Sequence, residues 1–461
     1  MVQNTQRRRT QETTVTVVGA GLAGSEAAWQ LAEAGFAVHL LEMRPHVQTP
    51  AHKTEYFGEL VCSNSFKSTA LHTSSGLLKA ELDILGSFIL QQALAHRLPA
   101  GSALAVDRLE MARTVTQQLS THPRIEITRT EAAVLPDPPA IIASGPLTAD
   151  SLAAELARVA GTPLYFYDAI APIVETATLD RAHCFTASRW QRSNTSPDKD
   201  GKSSSADYIN CPLSEAQYIR FIEALLAADK VKPHPFEKPR YFEACLPVEV
   251  MAARGFDALR HGPMRPVGLR DPHTGARPYA VVQLRAENRH LTAHNMVGFQ
   301  TRLTYPAQKQ VFRLIPALQN VRFLRLGSIH RNTYLRAPDC LNAQLQLKNH
   351  TGVAVAGLLS GVEGYVESVA MGWLAAFLTV AALKDRKVAP PPQTTAVGGL
   401  YRYLLRPHER DQPFVPTNMN FSLLPPLEAT LRKNPKKKRR LLIAERALAD
   451  LRDWRQRHLG D

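Results

Sequence analysis

The sequence is poor in cysteine and short of acid. Its five cysteines, Cys62, Cys184, Cys211, Cys245 and Cys340, are scattered over 461 residues, and no two form a Cys-x-x-Cys pair. That spacing excludes the common zinc and dithiol motifs, and an odd, dispersed set argues against a disulfide framework. A protein without metal in a reducing cytoplasm is the expectation. Long apolar runs are missing too. The longest, Val369 to Leu383, falls short of a membrane span and reads as a buried helix. Met1 to Thr14 carries Arg7, Arg8 and Arg9 and lacks the apolar centre of a secretion signal, so it reads as a disordered arm. Acids number 41 against 55 Lys and Arg, a net charge of +14 with a pI of about 9.7. Such an excess predicts a polyanionic partner, nucleic acid or an acidic membrane surface, and says nothing about fold. With 44% hydrophobic residues the chain can bury a large core, and its length allows about three domain-sized units.

Thr14 to Val18 is a β-branched run. Gly19-Ala-Gly-Leu-Ala-Gly24 follows, then a helical stretch from Ser25 to Ala34, closed by Gly35, and a second apolar run from Phe36 to Leu41 ending on Glu42. This is a βαβ unit. Ala140 to Ala143 and Gly352 to Gly357 read as further buried strands. Between about 181 and 325 proline, arginine and aromatics become frequent and the βα alternation fades, which predicts an inserted α+β domain, with the first domain resuming near Phe323. Ser193 to Asp207 is polar and of low complexity, a linker composition. Pro390-Pro-Pro392 marks a stiff break before the C-terminal region. The predicted organisation is thus a discontinuous domain over 13–180 and 325–389, an insertion over 181–324, and a C-terminal region over 390–461.

A lone Gly-x-Gly-x-x-Gly is a weak signal. Here it follows a strand, opens a helix, and meets an acid, Glu42, at the end of the next strand, 23 residues after Gly19. Gly19 permits the tight turn, Gly21 lets backbone approach a pyrophosphate at the helix N-terminus, and Gly24 lets helix and strand pack closely. Glu42 can accept hydrogen bonds from ribose hydroxyls and disfavours a 2′-phosphate. Gly19, Ala20, Gly21, Leu22, Ala23, Gly24 and Glu42 are therefore the candidate dinucleotide site, against the competing reading of a glycine-rich turn without ligand. A second cluster, Gly357-Leu-Leu-Ser-Gly361-Val-Glu-Gly364, again runs from strand to helix. It is either a helix cap with tight packing or a second helix N-terminus for the same cofactor. Two such turns suit the two halves of FAD in a Rossmann-like fold of the glutathione-reductase type, whereas a plain NAD dehydrogenase needs one.

Free cysteines are mostly inert fillers. Cys62 lies among small polar residues in Leu60-Val-Cys-Ser-Asn-Ser-Phe-Lys67, and Cys245 beside an acid in Tyr241-Phe-Glu-Ala-Cys-Leu-Pro247. Near a flavin they would matter: a thiolate can add to C6 of a pyrimidine and make C5 nucleophilic, and a second group must then take the C5 proton.

With these residues in hand the chain resembles the folate- and FAD-dependent tRNA uracil-5 methyltransferase family, TrmFO, from about Thr14 to Phe421. The resemblance is carried by VVGAGLAGSEAAWQLAEAG, TPAHKTEYFGELVCSNSFKS, PAGSALAVDR, IIASGPLT, FEACLPVEVMAARG, NMVGFQT and GLLSGVEGYVESVAMG. Next in fold come the larger GidA (MnmG) tRNA-modifying flavoproteins. The resemblance implies FAD held by the first glycine loop and Glu42, with Asp107, Arg108, Gly357, Gly361 and Gly364 toward the ribityl and flavin part. It implies 5,10-methylenetetrahydrofolate as carbon donor through a flavin-borne methylene, NAD(P)H as the source of electrons, Cys245 as the group adding to uracil C6, and Cys62 as base or relay. The implied target is the T-loop uridine of tRNA. Relatives carry a short lysine-containing link before the D-Y-x-N-C-P motif; here a long insert replaces it, leaving Lys199 and Lys202 as unaligned candidates. A GidA-like wobble-uridine enzyme, a flavin-bound RNA-binding module without turnover, and an ordinary flavin oxidoreductase are the alternatives, the last leaving the charge unexplained.

Residues 431–461 hold eleven Lys or Arg against four acids, opening with Lys436, Lys437, Lys438, Arg439 and Arg440. Leu441, Ala444, Leu448 and Leu451 recur at helical spacing, so a basic helix docked by one apolar stripe is expected, either a solvated face or an RNA-binding one. Base flipping needs a stacking residue, for which Tyr279, Tyr305, Phe299 and Tyr334 are candidates. His294, Arg265 and Arg270 are candidates for folate, against plain structural roles.

Overall fold

The computed structural model describes residues 13–161, 164–189, 208–231, 246–407 and 414–459. The β-branched run Thr14–Val18 pairs in parallel with Ala37–Glu42 on one side and Ala140–Ile142 on the other. Ile125–Arg129 and Val353–Val355 extend these edges into a five-stranded parallel sheet. Both faces are covered, and Val15, Val17, Leu40, Ile141 and Val355 are buried on them, as continuous apolar strands require. Helices Leu22–Glu33 and Tyr365–Leu383 cross closely enough that a Cβ on Gly372 would sit 2.3 Å from the Ala23 carbonyl oxygen. Helix Tyr365–Leu383 is long and apolar enough to cross a membrane, but 78% of its apolar window is buried in this domain. It is apolar on every side because it is surrounded on every side.

The inserted domain is a six-stranded sheet in the order Phe185–Thr186, Tyr208–Leu213, Ala280–Ala286, Ala293–Met296, Ile173–Glu175, Phe323–Arg325. It has a core of its own around Phe221, Phe299 and Phe312. The insertion therefore opens ahead of residue 181 and takes in Phe323, which pairs with Val174 instead of resuming the first domain. Three-residue strands carry too little periodicity to mark such a boundary. Chain exit and re-entry run side by side, as the antiparallel ladder of Leu164–Ala169 with Ile329–Tyr334.

In helix Lys436–His458 three residues of the expected stripe, Ala444, Leu448 and Leu451, are buried together with Ala447 and Trp454, while Leu441 is half-buried. They join the core of the parallel-sheet domain, with Trp454 edge-on to Phe377 at 5.1 Å and its indole N–H donating to the Ala389 carbonyl at 2.9 Å. The C-terminal helix is thus part of the first domain's packing.

Glu81, fully buried on helix Ser74–Ile84, accepts the N–H groups of Ala396 (2.6 Å) and Val397 (2.9 Å) at the start of helix Ala396–Leu405. Burial outweighs these two bonds and pushes its carboxyl up to about 8. Because the folded state then holds the proton more tightly than the unfolded chain, this contribution is full below about pH 4.5 and is lost as pH rises toward 8. Glu81→Gln should flatten the fall in thermal stability between pH 5 and 8, a span on the order of a few kcal/mol, measured by calorimetry on both proteins.

Candidate functional site

The turn after the first strand is built by close approaches. Gly19 has φ +94°, and a Cβ on Gly24 would lie 1.7 Å from the Gly19 carbonyl oxygen. At Gly21, the N-cap of helix Leu22–Glu33, no protein atom lies within 4 Å of where a Cβ would be. The helix start has no side-chain cap, so its first N–H groups face open space, the arrangement that receives a phosphate. Gly357 brings the second turn against the first: its Cβ would stand 2.7 Å from that of Ala23. Helix Tyr365–Leu383 also begins without a side-chain cap, at Gly364. Gly19, Gly21, Leu22, Ala23, Gly357 and Gly364 line one cavity of about 390 Å³, within the roughly 300–1,000 Å³ of small-molecule sites. Two uncapped helix ends on one cavity suit a ligand with anionic and polar groups spread along it, and FAD fits that requirement.

Glu42 lines the same cavity and is largely spoken for. Its Oε1 accepts from the Arg44 backbone N–H (3.1 Å) and Nε (2.9 Å), and its Oε2 from the Ala20 N–H at 2.9 Å. Burial works against its charge, but Arg44 and the two backbone N–H groups hold the carboxyl below its ordinary value. One acceptor position on Oε2 remains for a ribose hydroxyl. Ala20 and Gly24 shape this turn without lining the cavity, and neither does Gly361, whose Cβ would strike the Phe414 ring at 2.5 Å.

Asp107 and Arg108 are placed differently from the expected flavin contacts. Neither is among the lining residues. Asp107 caps helix Arg108–Thr121 through the Glu110 N–H and accepts from the Arg289 N–H at 3.0 Å. Arg108 pairs with Glu287 at 2.6 Å and donates to the Leu60 carbonyl at 3.0 Å. Both tie the insertion to the first domain, and the Leu60 carbonyl that Arg108 holds is two residues before Cys62.

Cys62 is half-buried and lines the cavity. The N–H groups of Cys62 and Ser63 donate to the Tyr365 phenol oxygen at 2.8 and 3.1 Å. Arg285, a buried residue of the insertion, donates to Ser63 Oγ (2.7 Å) and Asn64 Oδ1 (2.9 Å). The loop is therefore clamped from both domains. Arg285 thereby sets a guanidinium beside the Cys62 loop. Cys245 lies outside the described residues, as do Lys199, Lys202 and the 193–207 insert. Val248, three residues on, donates to the carbonyl of Gln300, a cavity residue.

Several lining residues went unmarked in the sequence. Glu363, buried, leaves its Oε2 without a hydrogen-bond partner among the described residues, and burial pushes its carboxyl up to about 7. Glu363 and Tyr365 stand in the quoted GLLSGVEGYVES motif and were the available signal. His52 likewise stands in the quoted TPAHKTEYFGELVCSNSFKS motif, whereas Arg285 and His330 had no such signal. Of the stacking candidates, Phe299 is core of the insertion, and Tyr334 is buried with its hydroxyl on the Phe414 carbonyl. Tyr279 carries Arg260 3.7 Å over its ring, and Tyr305 is 58% exposed. His294 is buried and bonded to Thr176, its ring pushed down to about 4 by desolvation, while Arg265 and Arg270 are exposed. Among the described residues no group of His, Cys, Asp or Glu could hold a metal ion.

The chain matches the family model described as Glucose inhibited division protein A over residues 14–387. Aquifex aeolicus GidA in two crystal forms superposes with TM-scores of 0.68 and 0.64 at 13% and 15% identity, covering 96% of this chain and 74% and 76% of those chains. At that identity the likeness is one of fold, and with the paired glycine turns it places the molecule among GidA-type α/β proteins. Relatives named methylenetetrahydrofolate--tRNA-(uracil-5-)-methyltransferase TrmFO from Syntrophotalea carbinolica and Anaeromyxobacter dehalogenans are 49% and 50% identical, over 98% and 96% of this chain and 95% and 97% of their own. The chain belongs to the TrmFO family. The first alignment takes in 452 of the 461 residues, so the similarity reaches past Phe421 into the basic tail.

Proposed function

We infer that this chain transfers a one-carbon unit from 5,10-methylenetetrahydrofolate to C5 of the T-loop uridine of tRNA, with FAD as reductant and NAD(P)H as the source of its electrons. The observation that carries this reading is the single cavity shared by both glycine turns and Cys62. When bound in reduced form, FAD supplies the two electrons that turn methylene into methyl. The protein's own part is positional and electrostatic. The Gly21 helix end receives the pyrophosphate, and Glu42 Oε2 takes a ribose hydroxyl. The Cys245 thiolate adds to uracil C6, which loads negative charge onto the ring and makes C5 nucleophilic. Arg285, which lines the cavity, favours that charge. C5 would bond to the one-carbon unit, whose bond to its carrier nitrogen breaks with the electron pair going to that nitrogen; Cys62 takes the C5 proton directly or through a relay, and loss of the Cys245 sulfur from C6 restores the uracil. Tyr365 and Arg285 hold the Cys62 loop in place for this step. Asp107 and Arg108 act as positioning residues between the domains.

The test is purified protein with transcript tRNA, NADPH and labelled methylenetetrahydrofolate. Label recovered in 5-methyluridine is the expected result; label-free tRNA beside reducible, bound FAD overturns it.

The basic tail supplies phosphate contacts in this reading. Lys436, Lys437 and Lys438 are exposed, whereas Arg439 donates to the Arg432 carbonyl and Arg440 stacks on Phe421. Deleting the tail would unroof Trp373 and Phe377, so charge has to be removed without the helix. Changing the three lysines to glutamine should weaken tRNA binding and lower its salt slope by about 2–3, read from titrations at several salt concentrations; an unchanged slope removes the tail from the interface.

A further inference from the structure

The cavity wall next to Cys62 contains a bulge whose product is a single exposed cation. In the short antiparallel pairing of Ser65–Ser68 with Ala103–Val106, Ser65 faces Ala105 and Ser68 faces Ala103. Phe66 and Lys67 are thus set against one residue, Leu104. Lys67 takes φ +64°, the left-handed region, which a non-glycine residue enters at a cost of roughly 1–2 kcal/mol.

The surroundings are built to hold it there. Phe66 is buried against the Tyr365 ring at 5.7 Å, and its carbonyl accepts from the buried Lys79 ammonium at 2.7 Å. The Lys67 N–H donates to Ser65 Oγ at 3.1 Å. Bulges re-aim side chains, and a strained backbone fixed from several sides points to use of what it displays. What it displays is an ammonium lining the cavity five residues from Cys62, exposed, without a hydrogen bond or ion pair to any described residue, and acting through space on the Glu363 carboxyl, whose upward shift it opposes. The other lining cations differ: Arg44 is buried on Glu42 and Glu59, and Arg285 is buried on Ser63 and Asn64.

We propose that Lys67 is an RNA-phosphate subsite at the rim of the cavity, contacting a phosphate that flanks the target nucleotide when its base enters to reach Cys62. This rests on the methyl-transfer reading above. A stacked uracil cannot present C6 to a thiol, so the nucleotide must turn in while its phosphates stay in the solvated rim. An exposed lysine held close to the thiol on the chain meets that demand, and the contact is sequence-neutral. The carboxylates of the folate tail offer the same anion chemistry and form the other arm of the test.

Lys67→Asn removes the charge while keeping a residue that tolerates the left-handed region; Lys67→Arg keeps the charge. Both are assayed with the FAD-loaded full chain beside wild type. The expected result for Lys67→Asn is a KM for tRNA raised roughly three- to tenfold with the salt slope lowered by about 1, an unchanged KM for methylenetetrahydrofolate, and recovery in Lys67→Arg. An unchanged tRNA KM and slope overturns the proposal, and so does a rise confined to the folate KM. If wild type itself forms no 5-methyluridine, the methyl-transfer reading falls first; if wild type is active and Lys67→Asn matches it, only the phosphate subsite falls. Should Lys67→Asn lose its fold by circular dichroism, Lys67→Gln is read in the same assay.

Discussion

Cys62→Ser should give a folded protein that still binds FAD and methylates tRNA more slowly by roughly 10²–10⁴-fold. Serine preserves the volume, and nothing in the packing depends on the sulfur. Its one hydrogen bond is a long one to the Ala169 carbonyl at 3.7 Å. The loop itself is held by the Cys62 and Ser63 backbone N–H groups on Tyr365 and by Arg285 on Ser63 and Asn64, none of which involves the thiol. A loss of activity in Cys62→Ser therefore reports on chemistry. A removed general base or relay costs about 10²–10⁴, and a hydroxyl is a poor proton acceptor near neutral pH. The companion change separates the two thiols. Cys245→Ala should abolish the covalent adduct with tRNA, whereas Cys62→Ser should retain it, because addition at C6 precedes proton loss at C5. The adduct is read as a slow band on denaturing gels; one that survives Cys245→Ala and disappears in Cys62→Ser exchanges the two roles.

What the sequence made legible follows the length scale of each interaction. The first βαβ unit could be read because its demands are local: a strand, three glycines and an acid within thirty residues. The basic C-terminal helix could be read because Ala444, Leu448 and Leu451 repeat along one face. The start of the insertion could not, since Ile173–Glu175 has three residues and its partner strand Phe323–Arg325 is distant in the chain. Asp107 and Arg108 were expected toward the flavin on the strength of their motif. Folded, their side chains go to Arg289 and Glu287, a contact between domains that no spacing in either segment announces. Lys67 is the reverse case. Its identity is ordinary, and only the backbone shows that two residues occupy the place of one.

The cofactor loop separates packing from ligand contact, which its glycines allow to be tested one at a time. Gly24→Ala should lose both stability and FAD. Its methyl would fall 1.7 Å from the Gly19 carbonyl oxygen, a backbone atom, with 2.9 Å to the Gly19 carbonyl carbon. Neither can move without opening the turn that sets the start of helix Leu22–Glu33. Gly21→Ala should behave otherwise. Its φ of −71° suits alanine, and no protein atom lies within 4 Å of the added methyl, so thermal stability of the flavin-free protein should match wild type within about 0.5 kcal/mol. The methyl would instead occupy the space where a pyrophosphate must approach the first N–H groups of the helix. An affinity loss of at least about tenfold for FAD is expected, equal to some 1.4 kcal/mol, measured by titrating the flavin-free protein. Gly21→Ala with wild-type FAD affinity would mean that the pyrophosphate does not lie on this turn, and the ligand assignment would have to move to the Gly357–Gly364 side of the cavity.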